Sequence, residues 1–157
     1  ISKLLAGVFV SVLQVYAFLL IASFWNIIPP LIGYLTLLPA LIFSGLMLGA
    51  LGMFLSSAIK QLENFAGVMN FVIFPMFFAS SALYPLWKIE ETSEWLYYVC
   101  LYNPFTYAVE TLRFSMYSEF NFEYSLGIII FMVIFLTLAI LGYDPSRGSI
   151  QKKGGKK

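Results

Sequence analysis

The chain has no histidine, a single cysteine and little charge: Asp, Glu, Lys and Arg make up 11% of its 157 residues, against about 25% in an ordinary soluble domain. Each shortage excludes something. Without histidine the commonest general base and metal ligand are gone, and one cysteine alone cannot build a Cys/His zinc site. No Ser-His-Asp set can form, and no metal site is expected. Cys100 has no partner for an internal disulfide and reads as a small apolar filler. The nearest approach to a phosphate loop is Gly154-Gly155-Lys156, but Lys157 follows where Ser or Thr is required, and the upstream glycine spacing is wrong. The chain is therefore not expected to bind ATP or to be an enzyme, and nucleic acid is not expected among its partners.

What is abundant is apolar surface, 61% of the residues, with 16 Phe and 10 Tyr. Four runs are long enough to cross a bilayer, which takes about 20 apolar residues. They cover Leu4 to Trp25, Leu31 to Ile59, Phe65 to Trp87 and Tyr124 to Tyr143. The second exceeds the hydrocarbon thickness and must tilt or kink, with Pro39 a natural bend. The chain opens on Ile1 and turns apolar over a run longer than a signal peptide's core, with no cleavage site, so it reads as a piece of a longer membrane protein. The expected fold is an all-α membrane bundle: residues 1–143 form the transmembrane part and 144–157 a basic tail.

Four spans put both ends on one side, together with Lys3, Lys60, Arg147, Lys152, Lys153, Lys156 and Lys157. The opposite side holds Lys88, Arg113, Glu90, Glu91, Glu94, Glu110, Glu119 and Glu123. The lysine-rich side is expected to be cytoplasmic. The tail reads as topology-setting, with contact to anionic membrane lipid or to a cytoplasmic partner as the sharper alternative.

Within the long outer connection, NPFTYAVETLRF (103–114) predicts a short helix with Asn103 as N-cap and Pro104 at its first position. Phe105, Val109, Leu112 and Met116 would line its buried face, and Thr106, Glu110, Arg113 and Tyr117 its wet one. Glu110 and Arg113 are spaced for an i,i+3 ion pair. Trp87, Trp95, Tyr97, Tyr98, Tyr102 and Tyr107 around it suit a membrane interface.

In the second span Gly45, Gly49, Gly52 and Ser56 form a small-residue stripe for close helix packing, within one bundle or between two copies. Gln14 and Asn70 lie at membrane depth and are expected to hydrogen-bond across helices, or else to line a substrate path. Ser80 near the outer end of the third span, and Pro75 as a break in its hydrogen-bond ladder, are further candidates for path or hinge. Lys60 and Glu63, in the short turn IKQLENF, are placed to touch a cytoplasmic partner.

The run FPMFFASSALYPLWKIEETSEWLYYVCLYNPFTYAVETLRF (74–114) carries Pro75, Ser80, Tyr84-Pro85, Trp95, Asn103-Pro104 and Arg113 in order. It resembles the membrane subunit of ABC-2 type transporters, with Ser81 where that family commonly has glycine. The phrases GYDPSRG and FPMFFASSALYPLW are similar to a bacterial subgroup linked to quinoprotein alcohol oxidation systems. The resemblance implies a permease, more an exporter than an importer, in the cell's inner or plasma membrane. It implies two copies as a homodimer, each docking a separate ATP-binding cassette subunit that holds the ATP and Mg. It also implies a re-entrant helical hairpin at the outer face, with Pro85, Asn103, Pro104, Glu110 and Arg113 forming part of an outer gate. The alternative kept beside it is a membrane assembly or scaffold protein without transport activity.

Overall fold

The computed structural model describes residues 2–26, 28–59 and 62–142, without the side chains of 62–65. Seven helices and no strand are present among the described residues. They are α1 (Ser2–Ser23), α2 (Leu31–Ala58), α3 (Leu62–Phe78), α4 (Leu86–Thr92), α5 (Glu94–Leu101), α6 (Pro104–Met116) and α7 (Phe122–Leu141). By length and apolarity α1, α2 and α7 can each cross a membrane.

The third apolar run divides. Helix α3 stops at Phe78, the chain turns through Ser80 and Ser81, and α4 begins after Pro85, which sits at its N-cap. At 17 residues, about 25 Å, α3 is at the short end of what spans a bilayer. Pro75 therefore lies one turn from the helix end rather than near the middle of a span. Helix α2 runs unbroken through Pro39.

Helix α2 is the axis of the bundle, with α1, α6 and α7 all packed on it. One core cluster joins Leu19 of α1 to Leu37 and Leu41 of α2, with Leu112 and Met116 of α6 against it. A second joins Met47, Ala108 and Ile128 from α2, α6 and α7. Met116 thus lies near the start of α2 and Ala108 nearer its end, so α6 runs antiparallel to α2 and descends beside it.

Two glycines make this descent sterically open. A Cβ on Gly33 would sit 2.2 Å from the Met116 carbonyl oxygen, and one on Gly127 would sit 2.1 Å from Cδ1 of the Tyr107 ring. The stripe of small residues on α2 serves α1 instead: Gly45 faces Val8 and Gly49 faces Leu4, while Gly52 is open apart from the tip of Met69 and Ser56 is exposed. Helix α6 ends in a left-handed turn at Ser118 (φ 63°), where the Glu119 N–H reaches the Phe114 carbonyl at 2.9 Å.

Candidate functional site

The site is a knot of hydrogen bonds between the broken end of α3 and one side of α6, from its N-cap to its last turn. Asn103 begins it. Its Oδ1 accepts from the Phe105 N–H at 2.9 Å, capping α6 as the sequence predicts, with Pro104 at the first helical position. Its amide nitrogen donates to the carbonyls of Met76 at 2.7 Å and Ala79 at 2.6 Å. The last carbonyls of a helix have no partner within it, so one side chain satisfies the end of α3 and the start of α6 together. This takes two donors and an acceptor on one side chain, which a primary amide supplies.

The next residues lock the turn. The Ser80 hydroxyl donates to the Phe77 carbonyl at 2.6 Å and accepts from the Ala82 N–H at 3.2 Å. The Ser81 N–H donates to Thr106 Oγ1 at 3.3 Å, and its carbonyl accepts from Arg113 Nη2 at 2.9 Å. Arg113 Nη1 donates to Glu110 Oε1 at 2.6 Å. Ser80, Ser81 and Thr106 are essentially inaccessible and Glu110 is 5% exposed. Non-helical backbone in a membrane protein is tolerated where protein buries it and satisfies its polar groups.

This corrects the expected orientation of α6. The pair Glu110–Arg113 forms, but only its arginine end is wet: Thr106 and Glu110 point into the protein, whereas Arg113 and Tyr117 reach solvent and Leu112 and Met116 pack on the core as expected, with Phe105 and Val109 half-buried. The reason is the neighbour. The turn after α3 brings its own backbone donors and acceptors to that side of α6, and they pair with the polar stripe. Tyr107 departs from expectation in the same way. Its ring lies on Gly127 and against Phe131 rather than at an interface. Its phenol is raised above the ordinary value by burial first, then by Tyr102 and Glu123. Trp87, Trp95, Tyr98 and Tyr102 are exposed.

Other candidates lie elsewhere. Gln14 on α1 and Asn70 on α3 are exposed and join no hydrogen bond across helices, because both stand on sides of the chain that no other described helix covers. Lys60 and the side chain of Glu63 lie outside the described residues, as does the basic tail. Residues that the sequence did not single out are Gly33 and Gly127; Thr106 was expected on the wet face of α6, and Ser81 stood out only as a departure from the family pattern. The two lone glycines inside apolar runs were the available signal for close contact; nothing in the spacing of Thr106 announced its burial.

The knot holds no nucleophile–base pair, and no three of His, Cys, Asp and Glu gather as metal ligands would among the described residues. Its chemistry is mechanical: it fastens one helix end to another. The fold and this buried fastening define a multi-pass helical membrane protein with a folded-back segment before its last helix. The family model for the ABC-2 type transporter matches residues 1–117, from α1 through the end of α6, and the chain belongs to that family. It is accordingly a transporter permease component, from a family of membrane subunits that lack an ATPase site and normally pair with an ATP-binding subunit. No curated protein and no solved structure matches it.

Proposed function

We propose that the chain is the permease half of an ATP-driven exporter, paired with a second copy and docked on a separate ATP-binding subunit that holds ATP and Mg. The observation carrying this reading is the family match over the segment that contains the spaced block from Pro75 to Arg113. Substrate would pass between the two copies. Gln14 and Asn70, exposed on one chain, would then face the second copy or the path, since amides at membrane depth turn toward protein or water rather than lipid.

The knot around Asn103, Glu110 and Arg113 is assigned to the outer gate. It fixes α6 between α2 and α7, and a change in its bonding would move α6 as a unit. Lys60 and Glu63 are assigned to the contact with the ATP-binding subunit, with the lysine-rich ends in the cytoplasm and the protein in the cell's inner or plasma membrane. Co-purification of the protein with a nucleotide-binding subunit, and vesicle transport that stops when ATP is withdrawn, would support the reading. Purification without such a subunit, with transport unchanged in the absence of ATP, overturns it.

A further inference from the structure

Helix α2 has 28 residues and stays unbroken through Pro39. It is about 42 Å long, against about 30 Å of bilayer hydrocarbon, and no charged residue stands between Lys3 and Lys60. Its neighbours mark levels along it. A Cβ on Gly49 would meet Leu4 and one on Gly45 would meet Val8, so Lys3 at the start of α1 stands level with residue 50 of α2. A Cβ on Gly142 would meet Ser57, so α7 ends level with residue 57, about 10 Å lower. With Ile128 beside Met47, α7 runs parallel to α2. Its 20 residues, about 30 Å, therefore reach back only to the level of residue 37. Helix α2 continues about 9 Å further to Leu31 before the chain turns back into α1. The apolar length of α1 is thus displaced along α2, relative to that of α7, by a similar amount at both ends.

The side chains at that end conflict with an upright bundle. Glu119 and Glu123 flank the start of α7 and are exposed, and carboxylates at a membrane must reach water. Phe24, Trp25, Ile28, Leu31, Ile32 and Leu35, at the tip of the α1–α2 hairpin, are exposed as well. Were α2 upright, these apolar groups would stand about 9 Å further into water than Glu123. Inclination removes the conflict. Helices α1 and α7 pack on different sides of α2, each about 8–10 Å from it axis to axis. A stagger of about 10 Å across about 18 Å is levelled by a tilt of about 30°, within the range of transmembrane helices, about 0–40°. At that angle α2 spans about 36 Å, which fits the about 40–45 Å of core and headgroup layers.

We propose that the bundle sits inclined by about 30° in the bilayer, with α1 raised relative to α7, so that the adjacent lipid leaflet covers the apolar tip of the α1–α2 hairpin. The equal offset at the two ends is the mark of an inclined body; a hairpin that merely overshot would be displaced at one end alone. This seating depends on neither the direction nor the energy source of transport.

The test uses the protein in phosphatidylcholine nanodiscs. Ile32→Cys and Glu123→Cys are labelled separately with a charged maleimide, the buried Cys100 giving the background. Glu123→Cys is expected to react several-fold faster, although Ile32 lies further along the axis of α2. In a second measurement Trp87→Phe with Trp95→Phe leaves Trp25 as the sole tryptophan. Its fluorescence should be quenched strongly by phosphatidylcholine brominated on the acyl chains and weakly by iodide, and this readout carries the test if a cysteine variant does not fold. Labelling of Ile32→Cys as fast as Glu123→Cys or faster, or quenching of Trp25 by iodide above brominated lipid, means an upright bundle and overturns the proposal. Slow labelling of Ile32→Cys with no quenching of Trp25 by brominated lipid places protein, such as a second copy, on the tip and overturns it too.

Discussion

Arg113 reaches across 32 positions of the chain to Ser81: its Nη2 lies 2.9 Å from the Ser81 carbonyl while its Nη1 holds Glu110. One guanidinium thus serves a buried carboxylate and a non-helical carbonyl at once, a fork that a lysine ammonium cannot copy. Removing one partner of a fully buried pair costs about 3–5 kcal/mol. The Arg113 side chain is 38% exposed, so solvent screens part of the loss, and Arg113→Met is expected to cost about 2 kcal/mol. Arg113→Lys should recover less than half of that. The double change Glu110→Gln with Arg113→Met should recover more, because no charge is then left buried. Thermal unfolding followed by size-exclusion in detergent measures all three, and equal midpoints for wild type and Arg113→Met would refute the assignment.

Asn103 gives a second ordering. Asn103→Ser keeps an N-cap oxygen and loses the two donors to Met76 and Ala79. Asn103→Asp also keeps the cap, but sets a carboxylate against those two carbonyls. Asp is normally as good an N-cap as Asn, so a cap-only role makes the two variants similar. The geometry instead makes Asp the worse by about 1–3 kcal/mol, readable in the same unfolding assay.

The glycines sort by what a methyl group would meet. Gly33→Ala strikes main chain at Met116, which cannot rotate aside, and is expected to lose about 1–3 kcal/mol or more. Gly127→Ala must displace the Tyr107 ring. Gly49→Ala meets only the flexible end of Leu4, and Gly45→Ala presses on Val8 at 3.2 Å. Gly52→Ala has room, with its nearest neighbour at 4.0 Å, and should gain about 0.5–1 kcal/mol from helix propensity. Expression level and midpoint across the series check the order; a Gly33→Ala protein as stable as wild type would contradict the close approach of α6 to α2.

Cys100 supplies the pH dependence. It is 1% exposed, and burial raises its thiol above the ordinary value of 9.0. A native pKa above the unfolded one means that the native state holds the proton more tightly. This contribution is therefore fully present below about pH 9 and is lost as pH rises past it. Maleimide labelling at pH 8 should be slow in the folded protein and fast after denaturation, and Cys100→Ser should flatten the alkaline fall in stability. Rapid labelling of the native protein would place Cys100 outside the core.

Three of the four expected spans were legible because apolar run length is read directly from sequence, and the start of α6 because Asn103-Pro104 is a local signal that needs no neighbour. The ion pair was legible by spacing. Which side of α6 is buried was not. A polar stripe faces water unless some other part of the chain brings matching polar groups, and the turn at Ser80 and Ser81 lies more than twenty positions away. The same limit hid Gly33 and Gly127, whose meaning depends on Met116 and Tyr107. Gln14 and Asn70 mark the opposite case: chemistry at membrane depth predicted a bond, but their helices turn them away from the rest of the chain.

Helix α3 touches its neighbours lightly along its shaft, with Phe71 and Phe74 exposed, yet Asn103 ties its final turn to α6 by two bonds. A rod anchored at one tip and loose along its length works as a lever. Displacement of α3 near residue 62 would be delivered to α6, and from there to the spacing between α2 and α7.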